Sequence, residues 1–331
     1  MKTIIISHST YGDYKSIQDA VSSIPDNSSE RYRIHIKPGI YEEKIFIRKN
    51  NIELFGEDPF TTIIKYGDSA KKLRSDSVTE YGTFNSAAIL FAGSNITVKN
   101  ITIENTAGPG NIAGQALAAY IAADKCSFYN CRFLGYQDTI FAGDCNDSAM
   151  KNLMLPDFFT DSNVNITHEV IRNYFHKCYI AGDVDFIFGP NCCYFEECEI
   201  FSRKRESEAC SFITAASTPA TQEYGLVFHN CKITSDDKPA SVYLGRPWRN
   251  YAKTAFINCR MDNHIHPQGW HNWGKAEAEV LCGYVEYGNS GPGAQSHVRA
   301  SFSKQLINPE IEKYYALNRV FSYPNEWIPA E

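Results

Sequence analysis

Two segments of the 331-residue chain carry an aspartate at the same place. Phe128-Tyr129-Asn130-Cys131 runs on to Gly135-Tyr136-Gln137-Asp138-Thr139. Phe175-His176-Lys177-Cys178 runs on to Gly182-Asp183-Val184-Asp185-Phe186. Aligned, Phe128 falls on Phe175, Cys131 on Cys178, Gly135 on Gly182 and Asp138 on Asp185, each aspartate seven residues past its cysteine. If each segment is one coil of a stacked repeat, the carboxylates occupy neighbouring strands, whose backbones lie about 4.7–4.9 Å apart. Carboxylates that close resist ionising together, so their pKa values separate. A split pair supplies one acid and one base near neutral pH. A ladder of solvated turn aspartates has the same spacing, and spacing alone does not choose between the two.

Other catalytic sets are missing from the sequence. There is no Gly-x-Ser-x-Gly nucleophile elbow, and neither a phosphate-binding P-loop nor a His-Glu-x-x-His zinc motif. Gln137 stands beside one aspartate. A further segment, Tyr243-Leu244-Gly245-Arg246-Pro247-Trp248, adds a cation and an aromatic plate, stiffened by Pro247. The run from His264 to Trp273 includes His264, His266 and His271, which could ligate a metal, but it reads better as an aromatic-rich loop. Asp144, Asp147, Asp157 and Asp161 do not follow a calcium-loop pattern. No metal and no cofactor is expected.

The elements that must hold these residues are short. Arg33–Ile36 alternates with period two before a Pro-Gly turn, and short strands follow at 45–47, 52–56, 62–64, 88–91 and 96–105. Five of the eleven cysteines, Cys131, Cys178, Cys198, Cys231 and Cys259, each follow an aromatic residue by three positions and precede an apolar one by two. Val98 to Ile103 is a degenerate copy with Ile101 in the cysteine place. From Ile101 the steps are 30, 47, 20, 33 and 28 residues, irregular but near the range of repeat architectures. No long helical pattern intervenes, which argues against an α/β sheet. The expected fold is all-β, a single-stranded parallel β-helix in which each coil completes its core against the next. Ile17, Ala20, Val21 and Ile24 have helical spacing ended by Pro25, a short N-terminal helix suited to capping the solenoid. Ile307, Ile311, Tyr314 and Tyr315 suggest a C-terminal tail folded back on the coils. The whole chain, 1–331, reads as one domain. The long step holds a loop insertion around 143–173, beside the aspartates.

Composition narrows the classes. Apolar content of 43% and charged content of 21% describe a globular protein. A net charge of −6, with only Arg203-Lys204-Arg205 as a basic run, argues against a nucleic-acid binder. No run of 18 apolar residues spans a membrane. The opening apolar stretch is too short for a signal peptide, so a cytoplasmic location is expected, or a secreted one if the chain was trimmed. The recurrent cysteines read as small buried hydrophobes, which suits a reducing compartment.

At this point the residues resemble a family. Gly135-Tyr136-Gln137-Asp138-Thr139, Val184-Asp185-Phe186-Ile187-Phe188-Gly189 and Leu244-Gly245-Arg246-Pro247-Trp248 are similar to motifs of the pectin methylesterases, carbohydrate esterases acting on homogalacturonan. Thr83-Phe84-Asn85-Ser86-Ala87, Asn105-Thr106-Ala107-Gly108 and Gln115-Ala116 also match, so the resemblance runs from about Tyr14 to Ala294. It implies a right-handed parallel β-helix and hydrolysis of C6 methyl esters of a galacturonan polymer or oligomer; a monomer is expected. It further implies Asp185 as nucleophile, Arg246 as its ion partner, Asp138 as acid and then base, and Gln115 and Gln137 as oxyanion donors. Trp248, Phe84, Thr83, Tyr136, Phe186 and Phe141 become candidates to line a sugar groove.

Some features depart from the family pattern. The stretch from Asp138 to Asp185 is longer than usual. Leu117-Ala118-Ala119 follows the first glutamine where an arginine is frequent, and Phe141 replaces a common tyrosine. Without a signal peptide, short imported oligomers become the expected substrate. Two other readings stand beside this one: a β-helix glycosidase or lyase cutting the polygalacturonate backbone, which two aspartates also suit, and a non-catalytic carbohydrate-binding β-helix, against which both Asp, both Gln and Arg246 together argue.

Overall fold

The computed structural model describes residues 1–9, 11–144, 170–207 and 209–329. Three parallel sheets, of 11, 8 and 7 strands, form the walls of a parallel β-helix. The chain visits them in turn. One coil places Asp124–Tyr129 on the first wall, Arg132–Leu134 on the second and Ile140–Ala142 on the third. The next places Arg172–His176, Tyr179–Gly182 and Val184–Gly189 directly upon them.

The repeat positions explain why the coils stack. Phe128, Phe175, Phe195, Phe228 and Phe256 pair in register along the first sheet. Their rings stack at 4.8, 4.5, 4.5 and 4.5 Å between centroids. Burying one such ring is worth about 1.5–3 kcal/mol, so this ladder is a principal tie between coils. The chain then turns sharply into the second sheet through one residue with left-handed backbone: Asn100, Asn130, Lys177, Glu197, Asn230 or Asn258. Asparagine tolerates that conformation better than most residues. The next residue, Ile101 or one of the five cysteines, points inward and is buried. Each of these thiols lies within hydrogen-bond distance of the carbonyl two residues earlier and of one on the preceding coil.

The ends agree with the sequence in kind but not in every boundary. The helix Ile17–Ser23, capped by Ser16, buries Ile17, Ala20 and Val21 against the first strands. Lys2–Ile6, apolar and next to no recognisable turn signal, is a strand at the edge of the first sheet. At the other end, two short helices, Glu310–Tyr314 and Leu317–Val320, replace one amphipathic stretch. Val320 and Phe321 pack with Tyr194 and Tyr224, and Tyr194 donates to the Tyr315 carbonyl at 3.0 Å, so the tail lies on the coils.

The loop expected at 143–173 is shorter at its far end. Arg172 and Asn173 belong to a first-wall strand, held because Asp124 accepts from the Arg172 backbone and guanidinium at 2.8–3.1 Å. Asp147, Asp157 and Asp161 lie outside the described residues.

Candidate active site

The third wall turns its outer face to the chemistry. Backbone pairing keeps one register on both sides of the aspartates: Leu134 lies opposite Ala181, and Ile140 opposite Ile187. Asp138 therefore stacks on Asp185, as their spacing in the sequence anticipates. Both have left-handed backbone, with φ of 66° and 50°. Aspartate is among the few side chains that accept this conformation, and it lifts both carboxyls out of the strand alternation at the corner leading into the third wall. The corner is tight. A Cβ on Gly182 would lie 2.2 Å from Cβ of Phe186 and 2.7 Å from Thr139 Oγ1. Only glycine fits beneath the aspartates, which accounts for the spacing of Gly182 and Asp185.

The two carboxyls are stacked but not equivalent. Both are buried, at 8% and 6% exposure. Arg246 follows the strand Val242–Gly245, two strands along the third wall from that of Asp185 with Ser211–Ala216 between, and clasps only Asp185, with Nε to Oδ1 at 2.8 Å and Nη2 to Oδ2 at 2.6 Å. Burial pushes Asp138 well above the usual carboxylate range, and the charge of Asp185 adds to this. Burial also raises Asp185, but its hydrogen bonds and ion pair with Arg246 oppose the rise. The clasp of Arg246 thus favours the charged form of Asp185, while burial and the charge of Asp185 favour the neutral form of Asp138.

Arg246 is itself fixed from both sides. Its guanidinium carbon lies 3.9 Å from the Phe212 ring centroid and 3.8 Å from that of Trp273. Lys275 donates to the carbonyls of Pro247 and Trp248 at 2.7 and 3.0 Å and sits 4.6 Å from the Trp273 ring, bracing the Arg246–Trp248 segment. Sequence reading assigned no part to Phe212, Trp273 or Lys275. The only trace was the density of aromatic residues from His264 to Trp273, read there as an unassigned loop.

Gln115 and Gln137 are both half-buried at this corner, on adjacent coils, with the Ala116 amide bonded to the Gln137 carbonyl at 3.1 Å. Neither side-chain amide bonds to another described residue, so both remain available as donors. Gly110 lies against one of them: a Cβ there would meet Gln137 Oε1 at 2.5 Å. The upstream motifs act as scaffold. The Asn105 amide reaches the carbonyls of Asp68, Ser86 and Leu117 at 2.9–3.0 Å, and Ser86 Oγ accepts from the Leu117 backbone at 3.0 Å, which fixes the approach to Gln115.

The six groove candidates divide. Thr83, Tyr136 and Trp248 are half-buried and keep surface to offer, with Arg203 over the Tyr136 ring at 4.6 Å. Phe84 and Phe141 are buried under the third wall's outer face with Tyr120 and Phe188, and Trp248 packs on this cluster. They support a wall and do not form its surface. Phe186 is a correction: it is fully buried in the interior core. The left-handed turn at Asp185 breaks the strand alternation, so the next side chain points inward.

Comparison with known proteins finds similar chains along nearly the whole length of this one. A family model described as pectinesterase matches residues 3–147 and 159–320. Pectinesterase 31 of Arabidopsis thaliana is 35% identical over 315 residues, covering 93% of this chain and 89% of that protein. The solved pectin methylesterase from carrot is 30% identical, with a TM-score of 0.77 over 93% of this chain and 89% of that one. A pectin methylesterase solved in complex with a hexasaccharide is 28% identical, with a TM-score of 0.80 over 100% of this chain and 99% of that one.

Proposed function

The chain belongs to the pectinesterase family, and from that premise we propose that it hydrolyses C6 methyl esters of galacturonan, with Asp185 as nucleophile and Asp138 as acid and then base. The observation that carries the assignment is the one-sided clasp: Arg246 binds Asp185 and leaves Asp138 without a cation of its own.

The steps follow from that asymmetry. The ionised carboxylate of Asp185 adds to the ester carbonyl carbon, and the carbonyl oxygen becomes an oxyanion. Gln115 and Gln137 donate to it; one such donor is worth about 10²–10³ in rate in other acyl-transfer sites. As the carbon–oxygen bond to the methoxy group breaks, Asp138 gives it a proton and methanol leaves. The acyl group remains on Asp185 as an anhydride. Asp138, now ionised, takes a proton from water as the water oxygen adds to the acyl carbon. Breakdown returns the Asp185 carboxylate and a protonated Asp138, and frees the galacturonate. Arg246 holds the attacking carboxylate in one orientation throughout, and the rings of Phe212 and Trp273 hold Arg246. Trp248, Tyr136 and Thr83 offer surface on which sugar rings can rest. Galacturonan oligomers are the substrate class this reading favours.

The test is methanol release from methyl-esterified oligogalacturonides, with chain length followed in the same samples. Methanol from the parent at constant length, and none from Asp185→Asn, is expected. Shortened chains would instead assign the carboxylates to backbone cleavage.

A further inference from the structure

Away from the aspartate corner, a cleft of about 420 Å³ opens at the opposite end of the third-wall strands, where the chain turns back into the first sheet. Arg31, Lys125, Thr97, Ser127 and the half-buried ring of Trp327 line it, together with Ser94 and Asn95. No acidic residue lines it. Arg31 Nη2 donates to Thr97 Oγ1 at 2.7 Å, and Thr97 Oγ1 lies 3.2 Å from Ser127 Oγ, so the guanidinium is set upon a buried hydroxyl pair. Trp327 is held in place by stacking on Phe321 at 5.0 Å.

The carboxylates nearby are already engaged. Glu30 pairs with Lys2, Asp124 with Arg172, and Glu53 with Arg33 and Lys99. Among the described residues, neither Arg31 nor Lys125 has an acidic partner. Two cations without an acidic partner among the described residues, converging on one cleft, are unexpected in a chain of net charge −6. Their combination with hydroxyls and an aromatic wall fits a sugar that carries a carboxylate.

We propose that this cleft binds uronate residues of de-esterified galacturonan, the product of the reaction proposed above, on which this assignment rests. A polyanion held there would be retained after each turnover, although the chain as a whole repels it. The binding is electrostatic and exposed, so it weakens with salt.

The test is equilibrium titration with a fully de-esterified galacturonate hexamer, comparing the parent with Arg31→Gln/Lys125→Gln. The parent is expected to show a salt-sensitive site that the double variant lacks or binds about 3–10-fold more weakly, as two exposed ion pairs allow. A polyglutamate of equal charge serves as the second probe and should bind the parent more weakly than the hexamer. Equal hexamer binding by parent and variant overturns the proposal, and equal binding of both polyanions overturns its assignment to uronates. Methanol release from a short methyl-esterified oligomer, measured on the same samples, should be unchanged in the variant. Absence of methanol from the parent would refute the esterase reading separately, because the hexamer titration requires no turnover.

Discussion

Two stacks of identical residues run through the same coils. Inside, phenylalanine lies on phenylalanine and cysteine on cysteine. At the outer corner, Asp138 lies on Asp185. The interior stack is satisfied by repetition, since Phe175, Phe195 and Phe228 each find the same partner on both sides, and burial pushes the thiols of Cys131, Cys178, Cys198 and Cys231 well above their usual range, leaving them unreactive. Repetition at the corner does the reverse. Two like acids in low dielectric cannot both ionise, and one cation attached to one of them decides which does. The same helical geometry therefore yields structure where the neighbours agree and chemistry where they conflict.

That contrast can be broken at several points. The largest effect should come from the pair itself, and it should be unequal. Asp185→Asn removes the nucleophile and should lower kcat by about 10⁴–10⁶-fold. Asp138→Asn keeps a neutral side chain of the same shape and loses only proton transfer, about 10²–10⁴-fold. Equal losses, measured by methanol release on folded protein, would contradict the division of roles.

The interior stack should behave in the opposite manner. Phe195→Ala should destabilise the fold by about 3–5 kcal/mol in denaturant titration, while kcat at a temperature where the variant stays folded is unchanged. A large fall in kcat with little loss of stability would show that the two stacks are not separate.

Next come the amides beside the pair. Gln137→Ala should lower kcat by about 10²-fold and leave the pH dependence in place, as expected for a donor to an oxyanion. The smallest effect belongs to the brace behind Arg246. Lys275→Met removes two hydrogen bonds to the Pro247 and Trp248 carbonyls. It should reduce kcat/KM by about 3–10-fold, mostly through KM, as the Trp248 surface loosens.

Much of this was legible in the sequence for a physical reason. Stacked coils impose equal environments, so Phe, Cys and Asp recur at equal offsets, and four of the six left-handed corners into the second sheet carry asparagine, with Lys177 and Glu197 at the other two. Contacts between distant coils left no such mark. Phe212 and Trp273 lie 34 and 27 residues from the arginine they enclose, and nothing local signals the enclosure. Phe186 was named a groove candidate from its motif alone, and the left-handed backbone of Asp185 before it turns it into the core. Phe84 and Phe141 looked like groove aromatics, but the third wall's outer face is thick enough to bury them. Lys2–Ile6 lacked the turn signals that mark the other strands, and only pairing with Tyr32–Ile36 makes it one.

The central claim is that Arg246 makes two stacked carboxyls unlike. The direct measurement is a ¹³C NMR titration of the aspartate carboxyl groups, assigned with Asp138→Asn and Asp185→Asn, in the parent and in Arg246→Gln. The account predicts that Asp185 ionises before Asp138 in the parent, with Asp138 titrating well above the usual carboxylate range. It also predicts that Arg246→Gln moves the Asp185 titration to higher pH and narrows the gap. Asp138 ionising first, or an Asp185 titration indifferent to the loss of Arg246, would contradict it.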